Sequence, residues 1–263
     1  MAASGTPTVD IRRSGDRSET ELSWLHGRHS FWIGGRPHDP DNTHHGLLMV
    51  HNEDVIKPGT GFETHPHRDM EIVTWVLEGA LVHQDSVGNS GIIYPGLAQR
   101  MSVGTGIMHS EKNDSRRLSG EPHTDPVHLV QMWIVPDESG VTPGYEQLEI
   151  DHELLSGALV TVASGMPKHA DDTAIRIRNR DAALYAARLI PGQPIQLPEA
   201  RYLHVFLARG AVELEGAGAL ATGDAVRLTA TGGQRIAALE PAEILVWEMH
   251  AALAGPTFVC AMT

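Results

Sequence analysis

Two short motifs constrain this chain more than anything else in it: His65-Pro66-His67 and, further on, His109-Ser110-Glu111. Side chains alternate along a β-strand, so residues two apart share a face. Each motif therefore presents two ligand-type side chains on one side of a strand. A barrel in which the two strands faced each other across the interior would aim three imidazoles and one carboxylate at a single point. That donor set suits a divalent metal and leaves positions free on an octahedral ion. A lone His-X-His is often just two hydrogen-bonded or exposed histidines. Here, though, several strand-turn units separate the motifs, and a glycine-rich turn precedes each, at residues 59–61 and 104–106. His65, His67, His109 and Glu111 are the candidate ligands.

The segments around the motifs read as β throughout. Leu47 to Asn52 is a strand candidate, and Met70 to Val82 reads as two strands joined at Glu78-Gly79. Turns fall at residues 57–61 and 85–89, and short strands at Ile92 to Tyr94, Ala98 to Val103 and Ile107 to Glu111. Lys112 to Pro126 reads as a polar loop, and Val127 to Val135 as a buried strand. No long amphipathic helix interrupts this series, which predicts a small antiparallel barrel. Trp24, Phe31 and Trp32 are expected to cover one end of it. Met1 to Glu19 is polar, without periodicity, and is expected to be partly disordered.

Pro136 to Tyr145, with two prolines and two glycines, reads as an inter-domain connector. Strand signals resume at Leu159 to Val162 and continue to Ile244 to Met249, which predicts a second barrel of similar size. It has no His-X-His and no His-X-Glu pair. The expected division is a metal-binding domain over 1–140 and a second domain of similar architecture, without ligands, over 141–263.

Composition excludes some classes of function. A formal net charge of −13 argues against direct binding to a nucleic-acid backbone. No apolar run approaches the length of a membrane span, and Met1 to Ser14 does not resemble a targeting segment. A cytoplasmic location is the expectation. Cys260 is the only cysteine, so no disulfide framework exists and a thiolate-held metal is disfavoured. Most of the sixteen histidines are expected at the surface or hydrogen-bonded in the core. Arg68 and Asp69 read as a structural ion pair, and Met70, Met101 and Met108 as core. Residues 104–106 resemble an anion nest, but no P-loop lysine follows, which excludes a nucleotide site there. Ser110 points away from the two ligands beside it.

These residues also carry a resemblance. The run from Thr64 to Gly79 resembles the first signature of the pirin family, within the cupin superfamily. Asp85 to Asn89 with Pro95-Gly96 resembles the family's hairpin and turn, and Met101 to Glu111 its second signature. Gln131 to Pro136 and Tyr145 to Gln147 continue the match in order. The likeness is specific from about Gly46 to Gln147 and fades to general architecture afterwards. It is nearest to the bacterial pirin-like proteins described as quercetin 2,3-dioxygenases.

The resemblance implies an all-β bicupin: two antiparallel β-barrels of jelly-roll type with few short helices, and the metal in the first. Its ligand positions fall on His65, His67, His109 and Glu111, the set proposed from spacing. Glu71 lies near the general cupin glutamate, but pirins place their carboxylate ligand at the position of Glu111, so Glu71 reads as supporting or structural. The implied activity is metal-dependent dioxygenation of a flavonol-like substrate with O2, opening the heterocyclic ring. Glu111 is the expected catalytic proton acceptor and Fe(II) the first-choice ion, with copper, manganese, nickel or zinc fitting the same donors. The family also includes redox-responsive metal proteins that act by binding a protein partner, and the ligand set does not separate the two roles.

Overall fold

The computed structural model describes residues 6–32, 39–114 and 125–253. Strand β11 (Val127–Ile134) shows how the sequence builds the architecture. It is apolar on both faces because both are covered. Val127, Leu129 and Trp133 point into the first half of the molecule, whereas Val130, Met132 and Ile134 join residues of the second half. A strand buried on both sides reads as a continuous apolar run rather than an alternating one.

Each half is a pair of sheets. In the first half a seven-stranded sheet runs β12–β9–β6–β11–β4–β3–β2. Its strands are β2 (Ser18–Glu21), β3 (Leu25–His29), β4 (Leu48–Ile56), β6 (Glu71–Glu78), β9 (Leu97–Ser102), β11 and β12 (Gly144–Glu149). Over it lies a four-stranded sheet, β5–β10–β7–β8, made of β5 (Gly61–His67), β7 (Leu81–Asp85), β8 (Ser90–Ile93) and β10 (Ile107–Lys112). The second half repeats the plan. Its seven-stranded sheet runs β1–β20–β17–β22–β15–β13–β14, from β1 (Thr8–Arg12), β13 (Val160–Ser164), β14 (Ile175–Arg176), β15 (Ala182–Leu189), β17 (Glu199–Arg209), β20 (Ala225–Gly232) and β22 (Ala242–Met249). Its four-stranded sheet is β16–β21–β18–β19, from β16 (Ile195–Gln196), β18 (Ala211–Leu214), β19 (Gly218–Ala221) and β21 (Arg235–Ala238). Among the described residues only β13 and β14 pair in parallel. Among the described residues helix is confined to α1 (Asp151–Leu154) and two single 3-10 turns.

The fold is therefore the expected all-β bicupin of jelly-roll type, though each half is two stacked sheets rather than a closed barrel. The two large sheets stand back to back. Trp75, Val130 and Met132 from one, with Phe31 just beyond β3, meet Leu184, Phe206, Leu245 and Trp247 from the other in a single buried core. Burial on this scale is worth about 1.5–3 kcal/mol for each large aliphatic or phenyl side chain. Two polar tips inside this layer are paired across it: the Trp75 indole donates to Glu243 Oε1 at 2.7 Å, and the Arg209 guanidinium to the Leu77 carbonyl at 2.7 Å.

Several expectations change. Phe31 lies in the layer between the halves rather than over an end, while Trp24 packs edge-on against Phe62. The polar N-terminal stretch is not structureless over its described part: residues 8–12 form β1, which pairs with β20 of the second half. The strand beyond the proline-glycine connector, β12, returns to the first sheet beside β9. The halves thus exchange edge strands, which no local pattern announces because both partners are remote in sequence. Most of the polar loop over 112–126, and Cys260, lie outside the described residues. No helix among the described residues is long and apolar enough to cross a membrane.

Candidate metal centre

Three neighbouring strands of the first small sheet build the site. On β5 and β10, His65 stands directly opposite His109. On β10 and β7, Glu111 stands opposite His83 and His109 opposite Asp85. Each strand contributes two side chains spaced two apart, and all six share the inward face. The two motifs are therefore neighbours in one sheet and do not face each other across the interior. Direct cross-strand opposition already brings Cβ atoms to about 4.5–5.5 Å, so no opposing wall is needed. Between His109 and Glu111 the register slips, leaving Glu111 opposite Phe62. The extra residue on β5 is a bulge, which re-aims side chains locally.

The imidazoles converge. Ring centroids lie 4.5 Å apart for His65 and His109, 4.7 Å for His65 and His67, and 5.0 Å for His67 and His109. The ligand-type atoms of His65, His67 and His109 lie within 4.8 Å of one another, and so do those of His83, His109 and Glu111. Glu111 is thus gathered with His83 and His109 rather than with the β5 pair. Its carboxylate is held toward the large sheet: Gln131 Nε2 donates to Oε2 at 2.7 Å, and Thr74 Oγ1 lies 3.5 Å from Oε1. The Trp133 indole donates to Gln131 Oε1 at 2.9 Å, which leaves the amide nitrogen as the end facing Glu111. Trp133 also meets the His67 ring edge-on at 4.7 Å.

Tests of fit come from the nitrogens. His65 Nδ1 donates to its neighbour Glu63's carbonyl at 2.6 Å, which leaves Nε2 with a free lone pair. His67 Nε2, His83 Nδ1 and both nitrogens of His109 are buried with no hydrogen-bond partner. A buried polar atom left unpaired costs about 1–3 kcal/mol, and here several are gathered at one place. Burial, reinforced by the neighbouring imidazoles, pushes His67 and His109 down to about 3. Both rings are neutral at neutral pH, the form that binds metal. The donor set and its protonation fit a divalent ion.

The floor of the site is a polar row across the large sheet. Asn52, Gln131, Thr74 and Gln99 stand in register on four adjacent strands. An apolar row of Val50, Trp133, Ile72 and Met101 runs beside it, again in register. Asp54, buried on β4, is pushed up to about 7 by burial and then by the charge of Glu111. Tyr145 stacks on His83 with centroids 4.9 Å apart, and burial followed by the same charge raises its phenol.

The other residues singled out from sequence fall as follows. Glu71 lies on the opposite face of β6, buried, where Oε2 accepts from Ser102 Oγ at 2.8 Å, so it is structural. Arg68 and Asp69 form an exposed pair at 3.3 Å. Met70 and Met101 pack in the core, but Met108 is exposed. Ser110 sits on the strand's other face, opposite Gln84. His83 is the residue that sequence reasoning passed over. A lone histidine on a strand has no partner two residues away of ligand type except Asp85, and only the alternation over 81, 83 and 85 could have signalled it. Among the described residues both clusters lie in the first half.

Both halves of the chain resemble known proteins. The family model described as Pirin matches residues 11–134, and one described as the quercetinase C-terminal cupin domain matches 161–249. A Mycobacterium tuberculosis H37Rv protein, provisionally named a quercetin 2,3-dioxygenase, is 58% identical over 94% of this chain and 98% of its own length. The Escherichia coli K12 quercetin 2,3-dioxygenase is 34% identical over 92% of this chain and 98% of its own. Among solved structures, the bacterial pirin YhhW of Escherichia coli in complex with nickel(II) superposes with a TM-score of 0.80, at 32% identity, over 93% of this chain and all of that one.

Proposed function

This chain belongs to the pirin family, and from that premise we propose that it is a metal-dependent dioxygenase of the quercetin 2,3-dioxygenase type. In this reading His65, His67, His109 and Glu111 hold one divalent ion in the domain of residues 1–140, and the domain of 141–263 carries no ligands. The observation that carries the reading is the set of unpartnered imidazole nitrogens gathered at one place. Fe(II) is the proposed ion, on the match between imidazole plus carboxylate donors and that metal. Relatives named for quercetin dioxygenation support the substrate class, a flavonol-like enol.

The overall reaction inserts both atoms of O2 into the flavonol, opens the heterocycle and expels one ring carbon as carbon monoxide. A divalent ion bound here supplies the Lewis acidity that lowers the pKa of a substrate hydroxyl, and the chemistry toward O2. The chain's own residues handle the proton and the surroundings. Glu111 takes the hydroxyl proton at Oε1, because Oε2 is occupied by the amide of Gln131 and Oε1 has only the distant Thr74. Gln131, itself fixed by Trp133, keeps that carboxylate oriented through the transfer. Val50, Ile72, Met101 and Trp133 form an apolar wall beside the polar row and limit water. His65 and His67 are half-buried while His109, Glu111 and His83 are buried, so substrate approaches from the β5 side.

The test is oxygen uptake by anaerobically Fe(II)-loaded protein given quercetin, with His109→Ala as control. Rapid uptake with carbon monoxide release, absent in the control, is the expected result. No uptake despite full metal occupancy, across Fe, Ni, Mn and Cu, would reject the dioxygenase and favour a metal protein that acts through a protein partner.

A further inference from the structure

His83 carries the outer hydrogen bond typical of a metal ligand, yet it is not one of the four pirin ligand positions. A metal-bound histidine usually gives its second ring nitrogen to a carboxylate or carbonyl, which fixes the ring and its tautomer. His65 has this arrangement through the Glu63 carbonyl. His83 has it through Asp85, whose Oδ2 lies 3.4 Å from Nε2. Asp85 is itself fixed: Oδ1 accepts from the amides of Val87 and Asn89, and Oδ2 from Asn89 Nδ2. The other nitrogen of His83, Nδ1, is buried and has no partner. Tyr145 stacked on one side of the ring leaves it little freedom to turn.

We propose that His83, His109 and Glu111 form a second, inner metal seat that shares His109 and Glu111 with the outer, four-ligand set of His65, His67, His109 and Glu111. The proposal rests on reading the cluster as a metal centre. Its three ligand atoms lie within 4.8 Å of one another and all three residues are buried. Glu111 has the supporting hydrogen bond that a carboxylate ligand usually carries, from Gln131. A neutral imidazole has one lone-pair nitrogen, so His109 serves one ion at a time and the seats are alternatives. They also differ in kind. The outer seat offers three imidazoles and a carboxylate, whereas the inner offers two imidazoles and a carboxylate, the donor set of non-haem Fe(II) oxygenases. The ion's preference therefore decides which seat fills: an ion that favours nitrogen takes the outer seat near the mouth, and one satisfied by two imidazoles and a carboxylate can take the inner.

Co(II) titration, followed by its visible absorption bands and by metal analysis after gel filtration, tests this without recourse to activity. The wild type takes up one equivalent. His65→Ala/His67→Ala, which alters only half-buried residues, still takes up one equivalent through the inner seat. Adding His83→Ala abolishes that uptake. A double variant that binds no Co(II) where the wild type is saturated overturns the inner seat, as does a triple variant that still binds. Should the triple variant fail to fold, the imidazole 15N spectrum of the Zn(II)-loaded double variant reads the same point: Nδ1 of His83 shifts on loading, and an unshifted Nδ1 overturns the proposal. A wild type that binds no metal would instead reject the metal centre as a whole.

Discussion

Gln131 donates to Glu111 across the interior, from the large sheet to the small one, with Nε2 and Oε2 2.7 Å apart. Trp133, two residues along the same strand, donates its indole to the other end of that amide. One side chain on β11 thus orients the only carboxylate among the proposed ligands, and its neighbour touches His67. Trp133, Gln131 and Glu111 form one hydrogen-bonded chain from the large sheet to the small one.

Gln131→Leu should therefore weaken metal binding with little change in shape. Losing an outer partner of this kind costs about 10–100-fold in affinity. The stranded Trp133 indole and Glu111 oxygen should cost a further 1–3 kcal/mol or so of stability. Gln131→Glu keeps the volume but sets a second carboxylate against Glu111, so it should weaken binding in a pH-dependent way that Gln131→Leu does not. Competition titrations with a chromophoric chelator at pH 6 and pH 8 separate the two. Equal losses at both pH values for both variants would reduce Gln131 to a packing role.

The buried histidines predict how acid acts on the metal-free protein. Histidine in the unfolded chain titrates near 6.5, whereas His67 and His109 are pushed down to about 3, as is His51, and His45 to about 4. Between those values the unfolded chain holds more protons. The stability contributed by these neutral rings is complete above about pH 6.5 and is lost as the pH falls toward 3. Each such histidine adds about 1.4 kcal/mol per pH unit to the slope. Urea midpoints should fall steeply from pH 6.5 to 4.5 and stay level above 7. Calorimetry at pH 7 in buffers of different ionisation enthalpy should find almost no proton release from His67 or His109 on metal binding. Release near one proton per ion would contradict the assignment of both rings as neutral.

Gly61 opens β5, paired with Lys112 of β10. A Cβ there would stand 2.3 Å from the Glu111 carbonyl oxygen and 2.6 Å from Lys112 Cα, both backbone atoms that cannot swing aside. Gly61→Ala must therefore push β5 off β10 beside Glu111, moving His65 relative to His109. The expected outcome is a loss of about 1–3 kcal/mol, typical of overpacking, together with weaker Co(II) binding. Gly59→Ala meets no atom within 4 Å, though its positive φ disfavours a side chain. It should cost less stability and leave the cobalt spectrum unchanged. Equal spectral effects from both would place the sensitivity in the turn rather than in the approach of the strands.

How much of this was legible in the sequence follows from the range of each interaction. The i, i+2 spacing of His65 with His67 and of His109 with Glu111 is local, so alternation alone puts each pair on one face. Whether two strands pair or oppose is decided by register between remote segments, and for that reason the expected facing arrangement gave way to direct pairing of His65 with His109. His83 enters only through its register with Glu111. Glu71 could be set aside from sequence because Glu111 offered a carboxylate at the resembling position, and the β6 alternation puts it on the far face. The exchange of β1 and β12 had no local signal: the sequence of either strand would suit an edge of either sheet.

That exchange, with the shared core, predicts that the halves unfold together. A chain ending at residue 140 lacks β12, which leaves the β9 edge open, and it exposes Val73, Trp75, Val130 and Met132 to water. Such a surface drives association rather than folding. In the intact protein Trp75 is wholly buried and reaches Glu243 of the second half. Trp75→Ala should remove about 3–5 kcal/mol, leave Glu243 without its indole donor, and lower one common transition rather than one of two. Circular dichroism for the strands and tryptophan fluorescence for the core should trace coincident melting curves in both wild type and variant. If the halves were independent, the variant would separate the two curves, and residues 1–140 alone would show a cooperative transition and bind Co(II). On the shared core described above, that fragment should do neither.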